Sequence, residues 1–299
     1  MEEVFSILVR IFVPIFAVGS MLTVGFRYSV QEIIKPLRDI PGVITAVVAN
    51  FVLVPLLAVA ILWLIRIETP LAIGLMVVSV AAGAPMLIRL TQIAREPVSF
   101  AASILVLLLV VTMIYMPIVI PRLASGDPIS AMAIARPLLL TMLLPLCLAF
   151  VVRALSPRTA ETLLPWAGKI TNVALYIMVA ATVLGNLDAV LGVFGKGAIL
   201  SALLLIAGAF AIGYLVGTFD KREKIVLGFG TAQRNFGAAT VVAVQSFTDP
   251  NVLVMTVVCS TVAMLLLPFA RLLGKRKARA AAPTGEVDSA SAKETQTAH

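Results

Sequence analysis

Histidine, cysteine and charged residues are scarce in this chain of 299 residues. Its one histidine is His299, the last residue, so catalysis by histidine and metal sites with histidine ligands are excluded. The two cysteines, Cys147 and Cys259, stand far apart in apolar runs and form neither a zinc motif nor a disulfide framework. Only 13% of the residues are charged and 61% are hydrophobic, and the mean hydropathy is +1.07. This balance excludes a water-soluble enzyme and is typical of a membrane protein.

Several apolar runs are long enough to cross a bilayer as helices, since one crossing needs about 20 residues. The sequence predicts an all-α, polytopic membrane protein whose transmembrane domain covers residues 1–273 and precedes a basic, then disordered, cytoplasmic tail over 274–299. The nine predicted helices are Val4–Phe26, Val43–Ile65, Leu71–Leu90, Val98–Ile120, Ile134–Val152, Leu163–Leu187, Gly197–Gly217, Ile225–Phe247 and Val252–Leu273.

The basic residues predict the orientation of these helices. The chain has 23 lysines and arginines: four lie on the side of the N-terminus, three lie inside helices, and the remaining sixteen lie on the opposite side. The positive-inside rule then places the N-terminus outside the cell's inner membrane and the C-terminus in the cytoplasm. This topology accounts for the net charge of +8, and no nucleic-acid partner is needed to explain it.

Two of the predicted helices carry interruptions at matching positions. The third contains Gly83-Ala84-Pro85, and proline breaks a helix because it lacks an N–H donor and clashes with the preceding turn. The eighth contains glycines around a polar group, in the stretch GFGTAQRNFG. Because the two helices run in opposite directions, they indicate an inverted repeat, with one half at about 4–120 and the other at about 134–273. Broken helices at matching positions indicate the binding site of a transporter.

The candidate site residues surround these interruptions. Arg234 lies about ten residues from either end of its helix, where a charge costs at least ~2.5 kcal/mol, and no acidic residue is near it in sequence. We expect it to bind a ligand or to substitute for an ion, and the alternative is a structural arginine buried against carbonyl groups. Arg10 and Arg89 lie near helix ends, and we expect them to snorkel. The full candidate set is Gly83, Pro85, Thr231, Gln233, Arg234, Asn235 and Gly237, and further polar residues that could complete a cavity are Asn50, Thr91, Gln92, Asn172 and Gln245.

The chain resembles the bile acid:sodium symporter family from about Ile11 to Leu273. The resemblance is carried by the stretch GSMLTVG from Gly19, the Gly83–Pro85 break followed by LTQIAR, and the stretch QRNFGAA from Gln233. It implies two inverted repeats, a core domain of crossed broken helices, a panel domain, and uptake of organic anions, usually driven by sodium. The nine helices correspond to the form that lacks the first helix of the ten-helix members.

The resemblance is incomplete at the residues that supply sodium ligands in the family. A Ser-Asn pair usually follows the glycines of the first broken helix, whereas this chain has Met86-Leu87-Ile88. In the second, Gly230 and Arg234 stand where the family usually has Glu and Gln, and Asn235 alone matches. A sodium ion is therefore possible, but the usual ligands are not matched, and we expect no other cofactor or metal.

These features predict a secondary active transporter of a small organic anion that works in a lipid bilayer by alternating access. Alternatives are an arsenite-exporter-like carrier, which uses a cysteine where this chain has Met86, a channel, and an intramembrane enzyme. The enzyme is disfavoured because all fifteen acidic residues lie in loops, tails or helix ends, so paired catalytic carboxylates are missing. The pattern names a substrate class, but neither a particular substrate nor an oligomeric state.

Overall fold

The computed structural model describes residues 2–31, 34, 40–123, 130–185, 197–219 and 224–280. Within these ranges all regular secondary structure is helical, and seven helices are long and apolar enough to cross a membrane. The chain is therefore a multi-pass helical membrane protein. The helices are α1 Glu2–Arg27, α2 Ile40–Val48, α3 Val54–Leu64, α4 Thr69–Val80, α5 Met86–Ile93, α6 Val98–Leu123, α7 Ala131–Leu138, α8 Leu144–Leu155, α9 Pro157–Gly185, α10 Ala198–Phe219, α11 Lys224–Ala232, α12 Phe236–Ser246, α13 Pro250–Ala263 and α14 Leu266–Ala280.

The two predicted interruptions are present. Helices α4 and α5 form the first broken helix, and α11 and α12 form the second. Each half is too short to cross a membrane alone, so the broken helices are not among the seven continuous spans. At the first break, Gly83 has φ of 79°, and a side chain there would overlap the backbone of Leu109 on α6.

Two other helices contain a π-helical turn. The turn Ala49–Leu53 joins α2 to α3, and the turn Leu139–Leu143 joins α7 to α8. A proline follows each turn, at Pro55 and Pro145. Because proline cannot donate to the carbonyl four residues earlier, the wider turn accommodates it and leaves a carbonyl free for another partner.

Small residues allow the helices to pack closely. Helix α1 runs antiparallel to α9, with Gly19 against Thr171 and Gly185 against Phe5. Helix α1 also packs on α8, where Gly25 lies against Ala149, so these three helices form one group. The broken helices belong to the rest of the bundle, where α4 packs on α13 and α10 packs on α11. Contacts of this kind are typical of membrane interiors.

The outer surface and the last helix fit a bilayer. Large apolar side chains remain exposed, among them Trp63 at 84% and Leu155 at 82%. Exposed apolar surface of this extent suits lipid rather than water. Helix α14 continues to Ala280, so the basic segment predicted as the start of a tail is helical, and the predicted disordered part from 281 lies outside the described residues.

Candidate functional site

The guanidinium group of Arg234 is fully buried and surrounded by oxygen atoms. Its Nε donates to the Val78 carbonyl at 3.2 Å, and Nη1 donates to Asn50 Oδ1 at 2.8 Å and to the Thr231 carbonyl at 3.0 Å. Nη2 donates to the Asn50 carbonyl at 3.4 Å and to the Ser79 carbonyl. A guanidinium has five N–H groups, and these five hydrogen bonds engage all of them. We call this arrangement the Arg234 cage.

Most of the cage oxygens come from helix ends, where carbonyl groups lack the usual partner four residues later. Val78 and Ser79 lie in the last turn of α4, and Thr231 lies in the last turn of α11. The C-terminal end of a helix carries a partial negative charge, because its last carbonyl groups lack intrahelical partners. Two half-helices therefore direct negative ends at one positive charge. The ion pairs found in the described residues, Arg153–Glu161 and Glu96–Lys277, both lie elsewhere.

The π-helical turn supplies the remaining oxygens. Asn50 accepts from Arg234 through both its side chain and its main chain, while its Nδ2 donates to the Ala46 carbonyl at 3.0 Å. The next carbonyl, of Phe51, accepts from the Tyr115 hydroxyl at 2.6 Å. The π-helical turn thus connects the Arg234 cage to α6.

The backbone of the first break is held by two other parts of the molecule. The Thr112 hydroxyl accepts from Ala82 N and donates to Ala82 O, each at 2.9 Å. The Ala81 carbonyl accepts from the main-chain N–H of Asn235, in the second break, at 2.9 Å. The two breaks are therefore in direct contact, and their exposed backbone groups are paired as buried polar groups must be.

Asn235 begins the second half of its broken helix. Its Oδ1 caps α12 by accepting from Ala238 N at 3.1 Å. The residue is 2% exposed, and its Nδ2 has no partner among the described residues. A buried amide donor without a partner is uncommon, and its presence requires an explanation.

A cavity of about 470 Å³ adjoins the breaks. It lies between the group of α1 and α9 on one side and the two breaks with α13 and α14 on the other. Of the sequence-predicted site residues, Pro85, Gln233, Arg234, Asn235 and Gly237 line this cavity, whereas Gly83 packs against α6 and Thr231 belongs to the Arg234 cage. Of the further polar candidates, Asn172 lines the cavity, Asn50 belongs to the cage, and Thr91, Gln92 and Gln245 do neither.

The charges that line the cavity are all positive. Arg27, Arg89 and Arg234 are among the lining residues, and no aspartate or glutamate of the described chain is. The sequence predicts that Arg89 snorkels, because it stands near a helix end, and does not predict that it lines the cavity. The signal that could have indicated this is its spacing from Met86 and Pro85 at the break, since residues three or four apart share one face of a helix.

The fold and this site define a multi-pass membrane protein in which two broken helices meet at a buried cation beside a cavity. The model of the sodium bile acid symporter family matches residues 14–193, more than half of the chain. The chain belongs to this family, which confirms the resemblance seen in the sequence.

Three plant proteins are similar to this chain. It is 24% identical over 256 residues, 82% of its length, to the probable sodium/metabolite cotransporter BASS2, chloroplastic, of Oryza sativa subsp. japonica. It is 24% identical over 88% of its length to BASS6 and 23% identical over 66% to BASS3, both named probable chloroplastic sodium/metabolite cotransporters of Arabidopsis thaliana. The chain spans 61%, 67% and 46% of the length of these three relatives, respectively. The family is thus one of transporters.

Proposed function

We propose that the protein is a secondary active transporter of a small organic anion that works by alternating access. The observation that carries this proposal is the cavity beside the two breaks, whose charged lining among the described residues consists of arginines alone. Such a cavity favours an anion by Coulomb attraction, and bound anions are usually paired with arginine in this way. The relatives named as sodium/metabolite cotransporters support a small-molecule substrate.

We assign nine membrane crossings to the transporter, seven as continuous helices and two as the broken helices. The two breaks are related by an inverted repeat, with one half at about 4–120 and the other at about 134–273. The continuous span Ala131–Leu155, of which α8 is the second half, forms the panel domain with α1 and α9, and the remaining helices form the core, a division supported by the packing of α1 along α8 and α9. The excess of basic residues supports an N-terminus outside and a C-terminus in the cytoplasm.

The cavity occupies one half of the proposed membrane thickness. Its lining extends from the breaks to Arg27, the last residue of α1, to Tyr28 after it, and to Gly168 in the first half of α9. These ends lie on the side that carries most of the basic residues. We propose that the described conformation is the inward-open one, and that movement of the panel against the core closes this mouth and opens the other.

The Arg234 cage uses groups of the kind that bind sodium in related types of transporter. Unwound backbone carbonyls and the C-terminal ends of half-helices are the groups that coordinate sodium in transporters of broken helices. Here the guanidinium engages such groups from α4 and α11, so a sodium ion does not fit between them. We propose that Arg234 provides the positive charge permanently, so that substrate binding does not depend on sodium at this position.

A thermal-shift screen tests the proposed function. Purified protein is heated with a panel of small carboxylates and with the primary amide of each, in sodium chloride and in choline chloride. We expect at least one carboxylate to raise the melting temperature while its amide does not, equally in both salts. That carboxylate should then show saturable, counterflow-stimulated uptake into proteoliposomes, which distinguishes a carrier from a channel. Stabilisation by the amides rather than the carboxylates would contradict the proposal.

A further inference from the structure

We infer that Arg89 is the residue that pairs with the negatively charged group of the substrate, an inference that rests on the proposed function. Arg89 lies on α5 and lines the cavity one helical turn beyond the break. It is exposed, and no hydrogen bond or ion pair engages its guanidinium among the described residues. Its N–H donors are thus available to a ligand.

The other two arginines of the lining are less suited to this task. Every N–H group of Arg234 already donates to a protein oxygen, so this residue contributes charge but no free donor. Arg27 is the last residue of α1, at the mouth of the cavity. Arg89 alone combines free donors with a position close to the breaks.

A second donor lies at the break itself. The Asn235 Nδ2 group is buried, has no partner among the described residues, and belongs to a side chain that lines the same cavity. An anionic group with two or more oxygens, such as a carboxylate, has enough acceptor positions for both an amide N–H and a guanidinium. Acceptance of the Asn235 donor by the bound anion would account for its lack of a partner among the described residues.

The remaining side chains of the cavity lining determine the size and polarity of the substrate that fits. Apolar side chains from both groups of helices face the cavity, including Phe16, Met21, Leu175 and Val179. With one free arginine close to the breaks, the geometry favours a monovalent anion on a compact and largely apolar body. Octanoate and phenylacetate are simple probes of this class, and octanamide and phenylacetamide are their neutral counterparts.

Binding of these probes to purified protein tests the role of Arg89. Arg89→Gln should weaken carboxylate binding by about tenfold or more, the effect expected for a lost charge-assisted hydrogen bond. Arg89→Lys should restore only part of the affinity, because lysine lacks the two-pronged geometry. The matched control is Arg10→Gln, since Arg10 is also an exposed arginine on a helix but does not line the cavity. Unchanged affinity in a folded Arg89→Gln protein would overturn the inference while leaving the proposed function intact.

A second measurement requires no ligand. Met86→Cys places a thiol in the cavity lining one turn from Arg89, in a background where the exposed Cys147 is replaced by serine and the buried Cys259 is kept. Relative to the same ratio for a free thiol in solution, Arg89 should favour a sulfonate-bearing methanethiosulfonate over its trimethylammonium counterpart, and Arg89→Gln should lower this normalised ratio several-fold. A normalised ratio unchanged by Arg89→Gln would show that Arg89 does not attract anions to this part of the cavity and would overturn the inference. A normalised preference for the cationic reagent with Arg89 in place would instead contradict the proposed anion substrate.

Discussion

A guanidinium group carries five N–H donors, and Arg234 directs each of them to a protein oxygen. The sequence left two roles open for this residue: contact with the substrate, or attachment of the broken helices to each other. The cage favours the second role, because no donor remains for a ligand. The positive charge still contributes to the electric potential of the adjoining cavity, which falls off slowly where water is excluded.

Replacement of Arg234 should therefore destabilise the protein as well as impair binding. Arg234→Gln and Arg234→Lys both leave several of the five oxygens without a donor, at about 1–3 kcal/mol for each buried group. We expect thermal unfolding in detergent to begin at a clearly lower temperature for both variants, while Arg10→Gln melts as the wild type does. If either cage variant melted at the wild-type temperature, the cage would not hold the breaks together.

The sequence predicts Arg234 but not its partners. A charge in the middle of an apolar run is visible at once, because its burial is costly. Its acceptors are four main-chain carbonyls and one side-chain oxygen, some of them 155 to 184 residues away along the chain. Every residue has a main-chain carbonyl group, so no sequence pattern shows which carbonyls accept hydrogen bonds from Arg234. The place of Arg89 in the cavity lining could not be predicted for a related reason: distance from a helix end does not say which face of α5 lines a cavity.

At the scale of elements, the two breaks could be predicted because glycine and proline interrupt a helix at their own position in the sequence. Gly83 adopts a φ of 79° that other residues rarely adopt, and Pro85 cannot continue the hydrogen bonds of the helix. What pairs the exposed backbone could not be predicted, since Thr112 lies 30 residues from Ala82, on another helix. The π-helical turn at Ala49–Leu53 was also missed, because a proline within an apolar run does not reveal how the helix accommodates it.

The pairing of Thr112 with Ala82 gives a test of the first break. Thr112→Val preserves the shape of the side chain but leaves the buried N–H and carbonyl of Ala82 without partners, which we expect to cost about 1–3 kcal/mol for each group. The matched control is Thr256→Val: Thr256 is equally buried, but its hydroxyl bonds to the Val252 carbonyl four residues earlier in its own helix. Chemical unfolding should show a substantial loss for Thr112→Val and less than about 1 kcal/mol for Thr256→Val. Equal losses would mean that the hydroxyl of Thr112 does not support the break.

For the molecule as a whole, composition predicts the class of protein, and the order of the residues gives the apolar runs. All seven continuous spans correspond to predicted runs, because each run buries enough apolar surface to persist as a helix in lipid. The grouping of α1 with α8 and α9 could not be predicted, since it depends on which small residues face each other, as Gly19 and Thr171 do. The sequence predicts a cavity at the breaks, but its opposite wall, formed by α1 and α9, depends on this grouping and could not be predicted.

The proposed orientation can be tested by labelling with an impermeant thiol reagent in intact cells. In a background with Cys147 replaced by serine, Met132→Cys should react from outside and Lys275→Cys should not, because the positive-inside rule places the basic α14 in the cytoplasm. Both residues are exposed, whereas Gly274 is unsuitable because a side chain there would overlap the carbonyl of Ile93. Labelling should reach Lys275→Cys after the cells are permeabilised. Reaction of Lys275→Cys in intact cells would show that the orientation is the opposite of the proposed one.

The central claim is that a fixed guanidinium takes the place of a coupling cation where the broken helices meet. Its most direct test is the dissociation constant of the carboxylate identified by the screen, measured while sodium chloride replaces choline chloride at constant ionic strength. The account predicts that the wild-type affinity changes by less than about twofold across the titration, an energy below that of one net hydrogen bond. A steep rise in wild-type affinity with sodium, matched by equally tight binding in Arg234→Gln, would contradict it.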